Sequence, residues 1–545
     1  MTPLIHFRKS TPLVATVLLL GWFAMRSTPN AFGVNPTPDG CYPDFSTAEG
    51  CDALHLLTTG VGNTAFGWRS LFSNVTGSFN TGVGGGTLAL NTAGLNTAVG
   101  TEALMLNVTG RDNVAYGAAA LTFNNSGTSN CAVGTFALFN NDNSGNGNAN
   151  DNTAVGDSAL TSNNDGADNT AVGFNALGNN QADGLTAVGS GALASNDSAS
   201  RNTAVGFAAL IFNDITRHGM ANANTAVGDS ALSTNTDAGE NTAVGAGALQ
   251  NNDSAVHGFA NDNTAVGASA LLNNSDGDSN TANGARALMA NLTGRRNTAV
   301  GFVALENSTD DFNTAVGAGA LFQNTTGFRN TALGDAALEN VTTGRDNIAI
   351  GVDAGSSLTS SEIENIDIDN SGVTGESSTI RIGTVQIAAF IAGVSGVTVT
   401  GAPVVVNAQG QLGVAPSAQR FKIAIKPMDH ASEVLFALNP VTFRYKKDVD
   451  PAGSSQFGLV AEDVAKVNPD LVVRDKNGEI YTVRYDQVNA MLLNEFLKEH
   501  RHVQEQDAII ARQQKQIDAL TVGLQKISAQ LELGKTGSRT VLNDP

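Results

Sequence analysis

The chain has 545 residues and carries 50 acidic against 30 basic side chains, for a formal net charge of −20. Such an acidic chain repels nucleic acid and anionic membrane surfaces, so neither is an expected partner. Its length leaves room for several domains. The sequence contains no phosphate-binding loop, dinucleotide fingerprint or clustered metal ligands, and we therefore expect no cofactor and no metal.

The N-terminus has the pattern of an export signal over residues 1–31. A basic start that ends at Lys9 precedes an apolar run from Leu13 to Met25, which is too short to span a bilayer comfortably. Cleavage near Ala31 predicts a secreted or cell-surface protein with no membrane span after signal removal. The alternative is that the signal stays uncleaved and anchors the chain in the membrane.

Residues 32–62 lie between the signal and the first repeat and contain Cys41 and Cys51. In an oxidising compartment these two cysteines could close a small disulfide. The remaining cysteine, Cys131, stands where a repeat normally has threonine, and we expect it to be a small buried residue.

Seventeen copies of a short motif, Asn-Thr-Ala-Val-Gly-x-x-Ala-Leu, occupy residues 63–355. Most copies are 16 or 17 residues apart, with three steps of 22, and they begin at residues 63, 80, 96, 113, 130, 152, 169, 185, 202, 224, 241, 263, 280, 297, 313, 330 and 347. Self-similarity at a fixed period is typical of a solenoid. A helical hairpin repeat needs roughly 30 residues or more, so the shorter period predicts a β-solenoid.

Each repeat contains the parts of one solenoid coil. Thr-Ala-Val predicts a short strand, the glycine a bend, and the Asn, Asp and Ser residues the turns. We expect the valine and leucine of every motif to point inward, for example Val172 and Leu177. The opening Asn forms a ladder from coil to coil or is a turn residue with positive φ. Leu185 replaces it in the eighth copy.

The three longer steps predict loops that bulge from single coils, and long loops on a solenoid often bind ligands. Their residues are mostly small and polar. His218 and His257 are the exceptions with side chains capable of chemistry. The simpler expectation is that these loops are extra turn residues with no role in binding.

The motif resembles the head repeats of trimeric autotransporter adhesins, in which Asn-Ser-x-Ala-x-Gly holds places similar to those of Asn-Thr-Ala-Val-Gly. The resemblance covers the repeats alone and implies a left-handed parallel β-roll within a trimer. Beyond the repeats, residues 356–416 alternate β-branched residues with glycines. This pattern predicts a β-rich neck that continues the solenoid.

The last part of the chain predicts a small α+β module and a long helix. A strand is expected at Val441 to Tyr445 and a hairpin turn at Asn477-Gly478. The helix is expected from Asp486, as its cap, to Leu533, with Gly534 ending it. From about residue 503 its apolar residues recur every seven positions, at Val503, Ile510, Ile517, Leu524 and Leu531. This seam predicts a trimeric coiled coil; the alternative is a single helix packed on its own domain.

Four stretches of the module, within residues 417–505, occur in an order and at a spacing that match a known family. They are Ser417-Ala-Gln-Arg-Phe-Lys422-x-x-Ile425, Leu438-Asn-Pro-Val-Thr-Phe443, Gly458-Leu-Val-Ala-Glu-Asp-Val464 and Val483-Arg-Tyr-Asp-Gln-Val488. This set resembles the intramolecular chaperone, or auto-processing, domain of phage tail spikes and endosialidases. That family opens with Ser-Asp-x-Arg-x-Lys, so Ala418 departs from its pattern.

The resemblance implies a domain that joins three chains, holds the attached solenoids in register and then cuts the chain between Pro416 and Ser417. Ser417 would be the nucleophile, Lys422 its base and Arg420 a supporting residue. A serine hydroxyl needs a base to become a good nucleophile, and a partly desolvated lysine can be that base. Taken without the resemblance, these residues predict an ordinary exposed serine and lysine.

Together these patterns predict an exported, trimeric, fibrous surface protein or adhesin whose C-terminal domain is an assembly chaperone. It would act once, as an autocatalytic serine peptidase, on its own chain. One alternative is a fibre like a phage tail spike that binds or degrades glycans. Another is an uncleaved fibre with a permanent trimerisation cap. The expected partner is a second and third copy, with a surface glycan or host receptor as a further candidate.

Overall fold

A computed structural model describes residues 45–255, 257–392, 394, 398–407, 409–475 and 477–536. The predicted signal peptide, its cleavage site and Cys41 lie outside these residues, so the disulfide with Cys51 stays a prediction. The chain divides into two compact units, residues 1–389 and 390–545, which are described separately.

The first unit is a β-solenoid built on one long parallel sheet. Each strand pairs with the strand one coil before it and one coil after it, and the twenty strands are Thr47–Glu49, Thr64–Phe66, Thr81–Val83, Thr97–Val99, Val114–Tyr116, Cys131–Val133, Thr153–Val155, Thr170–Val172, Thr186–Val188, Thr203–Val205, Thr225–Val227, Thr242–Val244, Thr264–Val266, Thr281–Asn283, Thr298–Val300, Thr314–Val316, Thr331–Leu333, Ile348–Ile350, Ile366–Ile368 and Ile380–Ile382. The predicted β-solenoid is confirmed. Its sheet extends past both ends of the motif region, with the last two strands inside the predicted neck.

The strands face the core with their middle residue, which corrects the predicted orientation. In Thr170–Val172, Ala171 is fully buried, whereas Val172 is 37% exposed. Successive side chains of a strand point to opposite faces, so threonine and valine must share the outer face once alanine is inside. Leu177 is fully buried, as predicted. The prediction for valine was wrong because the alternation of a three-residue strand allows either face to be the buried one.

The glycine after each strand is required by the closeness of the next coil. Gly173 has φ of +136°, and a Cβ on it would lie 2.5 Å from the carbonyl oxygen of Gly189 one coil later. No side chain fits between backbones at that distance. The motif glycines therefore stack in a column along the solenoid.

The motif leucines fill the core from a left-handed backbone conformation. Leu177 has φ of +51°, and the equivalent leucines share this conformation and are fully buried. A left-handed residue costs about 1–2 kcal/mol, and burying a leucine side chain stabilises by about the same amount or more. Each coil can therefore turn tightly and still fill its interior.

The opening asparagines form a buried ladder, so the ladder hypothesis is confirmed and the turn hypothesis is wrong. The backbone N–H of Asn169 donates to Oδ1 of Asn152 at 3.1 Å, and the Asn169 side chain donates to the carbonyl of Ala182 at 2.9 Å. None of these asparagines has positive φ. Leu185 still donates its N–H to Asn169 but offers no oxygen to Asn202, so the ladder breaks at that coil.

A second asparagine ladder was not predicted from the sequence. It lies eleven residues after the first in most coils; for example, Asn180 Nδ2 donates to Asn163 Oδ1 at 3.0 Å. Ser308 and Val341 replace asparagine near its C-terminal end. The buried Oδ1 atoms of Asn291 and Asn324 consequently have no hydrogen-bond partner.

The three longer coils each contain a buried aspartate that organises the extra residues. Asp142 accepts hydrogen bonds from the N–H groups of Ser126 and Gly147, and Asp214 and Asp253 make equivalent bonds in their coils. Two short parallel pairs add to the solenoid, Ser162–Asn163 with Asn179–Asn180 and Phe212–Asn213 with Thr234–Asn235.

The second unit begins with a hairpin and continues into a small α+β fold. Its strands pair antiparallel as Val405–Val406 with Leu412–Gly413, Val441–Phe443 with Gln456–Gly458, and Val472–Arg474 with Ile480–Val483. Its helices are the short 3₁₀ segments Gln419–Phe421, Asp429–Ala437 and Pro469–Leu471, the α-helix Ala461–Val467 and the long helix Tyr485–Thr536. The predicted turn at Asn477-Gly478 connects the last two strands.

The long helix differs from its prediction at both ends. It begins at Tyr485, so that Asp486 lies in its first turn, and it continues past Gly534 to Thr536. A glycine costs only about 1 kcal/mol inside a helix, so it does not by itself end one. At 52 residues the helix is about 78 Å long. No helix in the described ranges is both long and apolar enough to cross a membrane.

Candidate functional site

The predicted nucleophile and base lie together just after the hairpin of the second unit. Lys422 Nζ is 3.3 Å from Ser417 Oγ, within hydrogen-bonding distance. The 3₁₀ turn Gln419–Phe421 brings the two side chains together, and its last bond runs from the Lys422 N–H to the carbonyl of Gln419 at 3.0 Å. Five residues apart on an α-helix they would not be neighbours. The turn therefore supplies the geometry that a Ser–Lys pair requires.

Both side chains are exposed to solvent in the single chain. Lysine accepts a proton from serine only as the neutral amine, and removal from water favours that neutral form. In the described chain no neighbouring residue covers Ser417 or Lys422. Ser417 and Lys422 are thus close enough for nucleophilic chemistry, but Lys422 is not removed from water in the single chain.

Ala418 and Arg420, which lie between Ser417 and Lys422, have different surroundings. Ala418 is the N-cap of the 3₁₀ turn and makes no side-chain cap bond. Aspartate at a cap accepts a hydrogen bond from the backbone of the next turn, which alanine cannot do. The Arg420 guanidinium lies over the ring of Phe421, 4.7 Å from its centroid.

A polar cluster around Ser432 was not predicted from the sequence. Ser432 lies on the segment Asp429–Ala437 and is fully buried against the long helix. Its hydroxyl donates to Glu495 and accepts from Asn494 Nδ2 at 2.6 Å and Lys498 Nζ at 3.4 Å. Asn494 and Glu495 lie one helical turn before Lys498, but a serine 62 residues away gave no sequence signal of their common contact.

The ion pair in this cluster holds both partners charged. The hydrogen bond from Lys498, 2.6 Å from Glu495, lowers the pKa of Glu495, and the bond from Ser432 acts in the same direction. The same contact raises the pKa of Lys498. A charged lysine is a donor and cannot be a base, so the cluster is a structural connection between the 3₁₀ segment and the long helix.

Apolar side chains cover the surface of the second unit. Only four apolar residues of this unit are buried among those described: Val464, Leu471, Val472 and Val483. Phe436, Phe457 and Phe496 are at least 65% exposed. An open groove of about 520 Å³ is lined by Leu435, Leu438, Phe457, Val488 and Leu492 among others. Exposed apolar patches of this kind are typical of interaction surfaces and ligand-binding grooves.

The loop histidines form contacts between coils. His218 Nδ1 lies 3.0 Å from Asp237, and His257 Nδ1 lies 3.1 Å from Asp276 on the following coil. Each imidazole has one acidic partner, as expected of a turn contact. Within the residues that the structure describes, no three His, Cys, Asp or Glu side chains are arranged to hold a metal ion.

These features define a β-solenoid protein with a small C-terminal α+β unit that contains a Ser–Lys pair. Residues 417–473 match the family described as chaperone of endosialidase. The match begins at Ser417 and includes three of the four stretches on which the resemblance was based. The stretch from Val483 to Val488 lies beyond it. No curated protein matches the chain.

Proposed function

We propose that this chain is a fibre subunit whose C-terminal unit assembles three copies and then releases itself by cutting before Ser417. The observation that supports assembly is the apolar surface of the second unit. A side chain such as Phe457, 82% exposed, is unfavourable in water and becomes favourable once another copy covers it. The match to the chaperone of endosialidase supports a homotrimer.

The long helix supports the same association. Its heptad residues Ile510, Ile517 and Leu524 are between 53% and 66% exposed in the single chain. A helix with such a seam is stabilised by packing against equivalent seams of partner helices. The proposal therefore assigns residues from about 503 onward to a parallel coiled coil.

The cleavage step follows from the 3.3 Å contact between Ser417 Oγ and Lys422 Nζ. Ser417 Oγ attacks the carbonyl carbon of Pro416 while neutral Lys422 takes the hydroxyl proton. The bond from that carbonyl carbon to the Ser417 nitrogen then breaks, and the lysine returns the proton to the nitrogen. Water hydrolyses the resulting ester. The products are a chain ending at Pro416 and a fragment beginning at Ser417.

Assembly would precede cleavage in this proposal. Because the pair is exposed in one chain, a neighbouring copy must exclude water from Lys422 before the amine can act as a base. This order protects the solenoid from losing its chaperone before three copies have joined. Export through residues 1–31 to the cell surface or medium is part of the same proposal, and N-terminal sequencing of the mature protein tests it.

The deciding experiment combines sedimentation with a denaturing gel of the full chain. We expect three chains per particle and a fragment of about 14 kDa beginning at Ser417, from 129 residues of roughly 110 Da each. Ser417→Ala and Lys422→Ala should each keep the chain whole and still trimeric, because each removes half of the pair. A monomer at micromolar concentration contradicts the assembly proposal.

The control for the cleavage arm is Ala418→Asp, which restores a cap to the turn between Ser417 and Lys422. If the wild type is trimeric and whole, this variant should cut itself. A trimer that stays whole with Asp at 418 excludes the peptidase activity and leaves the uncleaved fibre with a permanent trimerisation cap.

A further inference from the structure

The outer face of the solenoid sheet is an uncharged stripe in a strongly acidic chain. The stripe consists of the first and third residues of the nineteen strands from Thr64–Phe66 to Ile380–Ile382. None of these residues is charged, although the chain has 50 acidic side chains. The charged residues lie beside it, including Asp151, Asp168 and Arg201 just before strands. An uncharged centre with a polar rim is the anatomy of a protein–protein interface.

Within the described single chain, the side chains of the stripe have neither apolar neighbours to cover them nor hydrogen-bond partners for their hydroxyls. The valine column is regularly 37% exposed, as at Val172, Val188 and Val205. Among the described residues, no threonine of the stripe makes a side-chain hydrogen bond to another residue; the bonded threonine hydroxyls all lie in turns. In the ten strands from Thr153–Val155 to Thr314–Val316, unused threonine hydroxyls therefore lie beside valine side chains, with Asn283 as the one exception among the valines.

The size and periodicity of the stripe fit a second copy of the chain. Nineteen strands about 4.8 Å apart and about 10 Å long give a face of roughly 900 Å². A stable interface needs about 800 Å² per partner. A partner that contacts every coil must repeat at the same spacing, and an aligned copy of this solenoid does so by construction.

The valine column contains two polar side chains, the phenol of Tyr116 and the amide of Asn283. Asn283 is exposed, replaces valine in its strand, and is paired in register with Val266 on one side and Val300 on the other. Its side-chain amide makes no hydrogen bond within the described chain. If copies pack in register, the Asn283 amides meet and can bond to one another. A shift by one coil would bury each amide against valine, which is unfavourable.

We infer that the stripe is the surface through which solenoids of neighbouring copies pack side by side, and that Asn283 sets their coil-to-coil register. The inference rests on the proposed function for the number and parallel direction of the copies. A single polar residue in an apolar seam has the same effect in coiled coils, where it selects one register at some cost in stability. Because the coils are otherwise nearly identical, a residue that differs between them is needed to favour one register over the others.

The test uses the full chain with Cys41→Ser, Cys51→Ser and Cys131→Thr as the parent. Val172→Cys places a thiol on the stripe, and Gln181→Cys places one on an exposed turn of the same coil as the matched control. Treatment with a short thiol-specific cross-linker should join copies through Cys at 172 and not at 181. A trimer that fails to cross-link at 172, or cross-links equally at 181, overturns the inference and leaves the proposed function intact. A monomer by sedimentation overturns both.

The register is tested by co-expressing two differently tagged chains, one with Val172→Cys and the other with Val188→Cys. Direct disulfides formed by oxidation, which require the two sulfur atoms to be in contact, should join equal positions about ten-fold more often than mixed ones, since one tenfold ratio corresponds to the loss of a single buried hydrogen bond. Adding Asn283→Val to both chains should lower this ratio, because only the C-terminal unit then holds the copies in register. An unchanged ratio with valine at 283 overturns the role of Asn283.

Discussion

At the scale of single residues, Asp367 is a buried carboxylate in the solenoid core. It occupies the inward site that alanine holds in most strands, and it is 1% exposed. Neither carboxylate oxygen has a hydrogen-bond partner. Burial raises the pKa of Asp367 from 3.8 to about 6, and the charge of Glu376 adds to this, while Arg381 opposes it. The C-terminal coils therefore contain a charge that folding disfavours at neutral pH.

This predicts a specific pH dependence. Because the folded-state pKa is higher than the unfolded one, the contribution to stability is fully present below pH 4 and is lost as the pH rises through 6. The shift corresponds to about 3 kcal/mol. Hydrogen exchange, corrected for its intrinsic pH dependence, should show residues 365–382 less protected at pH 7 than at pH 5. The variant Asp367→Ala should remove most of that difference, and a difference that survives would assign it to other groups.

At the same scale, the two asparagine ladders show how far a sequence pattern can be interpreted. The first was one of two hypotheses, because a repeated asparagine suits both a ladder and a turn. The second belongs to a less regular part of the repeat and was missed. What distinguishes the hypotheses is burial: both columns lie inside the solenoid, where an unpaired amide costs about 1–3 kcal/mol, so the amides must bond to each other and to carbonyls.

At the scale of one coil, the strand orientation determines which substitutions are tolerated. Leu177→Asp should unfold its coil and the adjacent ones, because it buries an unpaired charge at a cost of several kcal/mol. Val172→Asp should leave the coil folded, since that side chain is 37% exposed. Circular dichroism and limited proteolysis of the full chain compare the two variants. Equal fragmentation of both would contradict the observed orientation of the strand.

Also at this scale, the C-terminal unit depends on polar contacts as much as on apolar ones. Its small apolar core is supplemented by the Ser432 cluster, which connects Asp429–Ala437 to the long helix through Glu495, Asn494 and Lys498. This arrangement leaves the larger apolar side chains on the outside. Under the proposed function, these side chains are covered when copies associate, which would stabilise the unit.

At the scale of the whole molecule, the long helix is predicted to hold the copies together. Ile510→Lys with Ile517→Lys places two charges on each seam, where three copies would bring them into contact, and should convert trimers into monomers. Ala508→Lys with Ala511→Lys adds the same charge away from the seam and should leave the trimer intact. Sedimentation equilibrium distinguishes these outcomes, and a trimer that survives the seam charges would exclude a coiled coil from assembly.

The sequence by itself determined the solenoid and its period, because these depend on repetition, and its resemblance to a known family predicted the Ser–Lys pair from motifs a few residues long. The inward choice of Ala171 over Val172, the second asparagine ladder and the cluster at Ser432 were decided by the tertiary structure. Each of them depends on which residues of distant coils or elements come into contact. A local pattern is compatible with more than one such arrangement, and only the packed backbone, with coils so close that no side chain fits at Gly173, selects one of them.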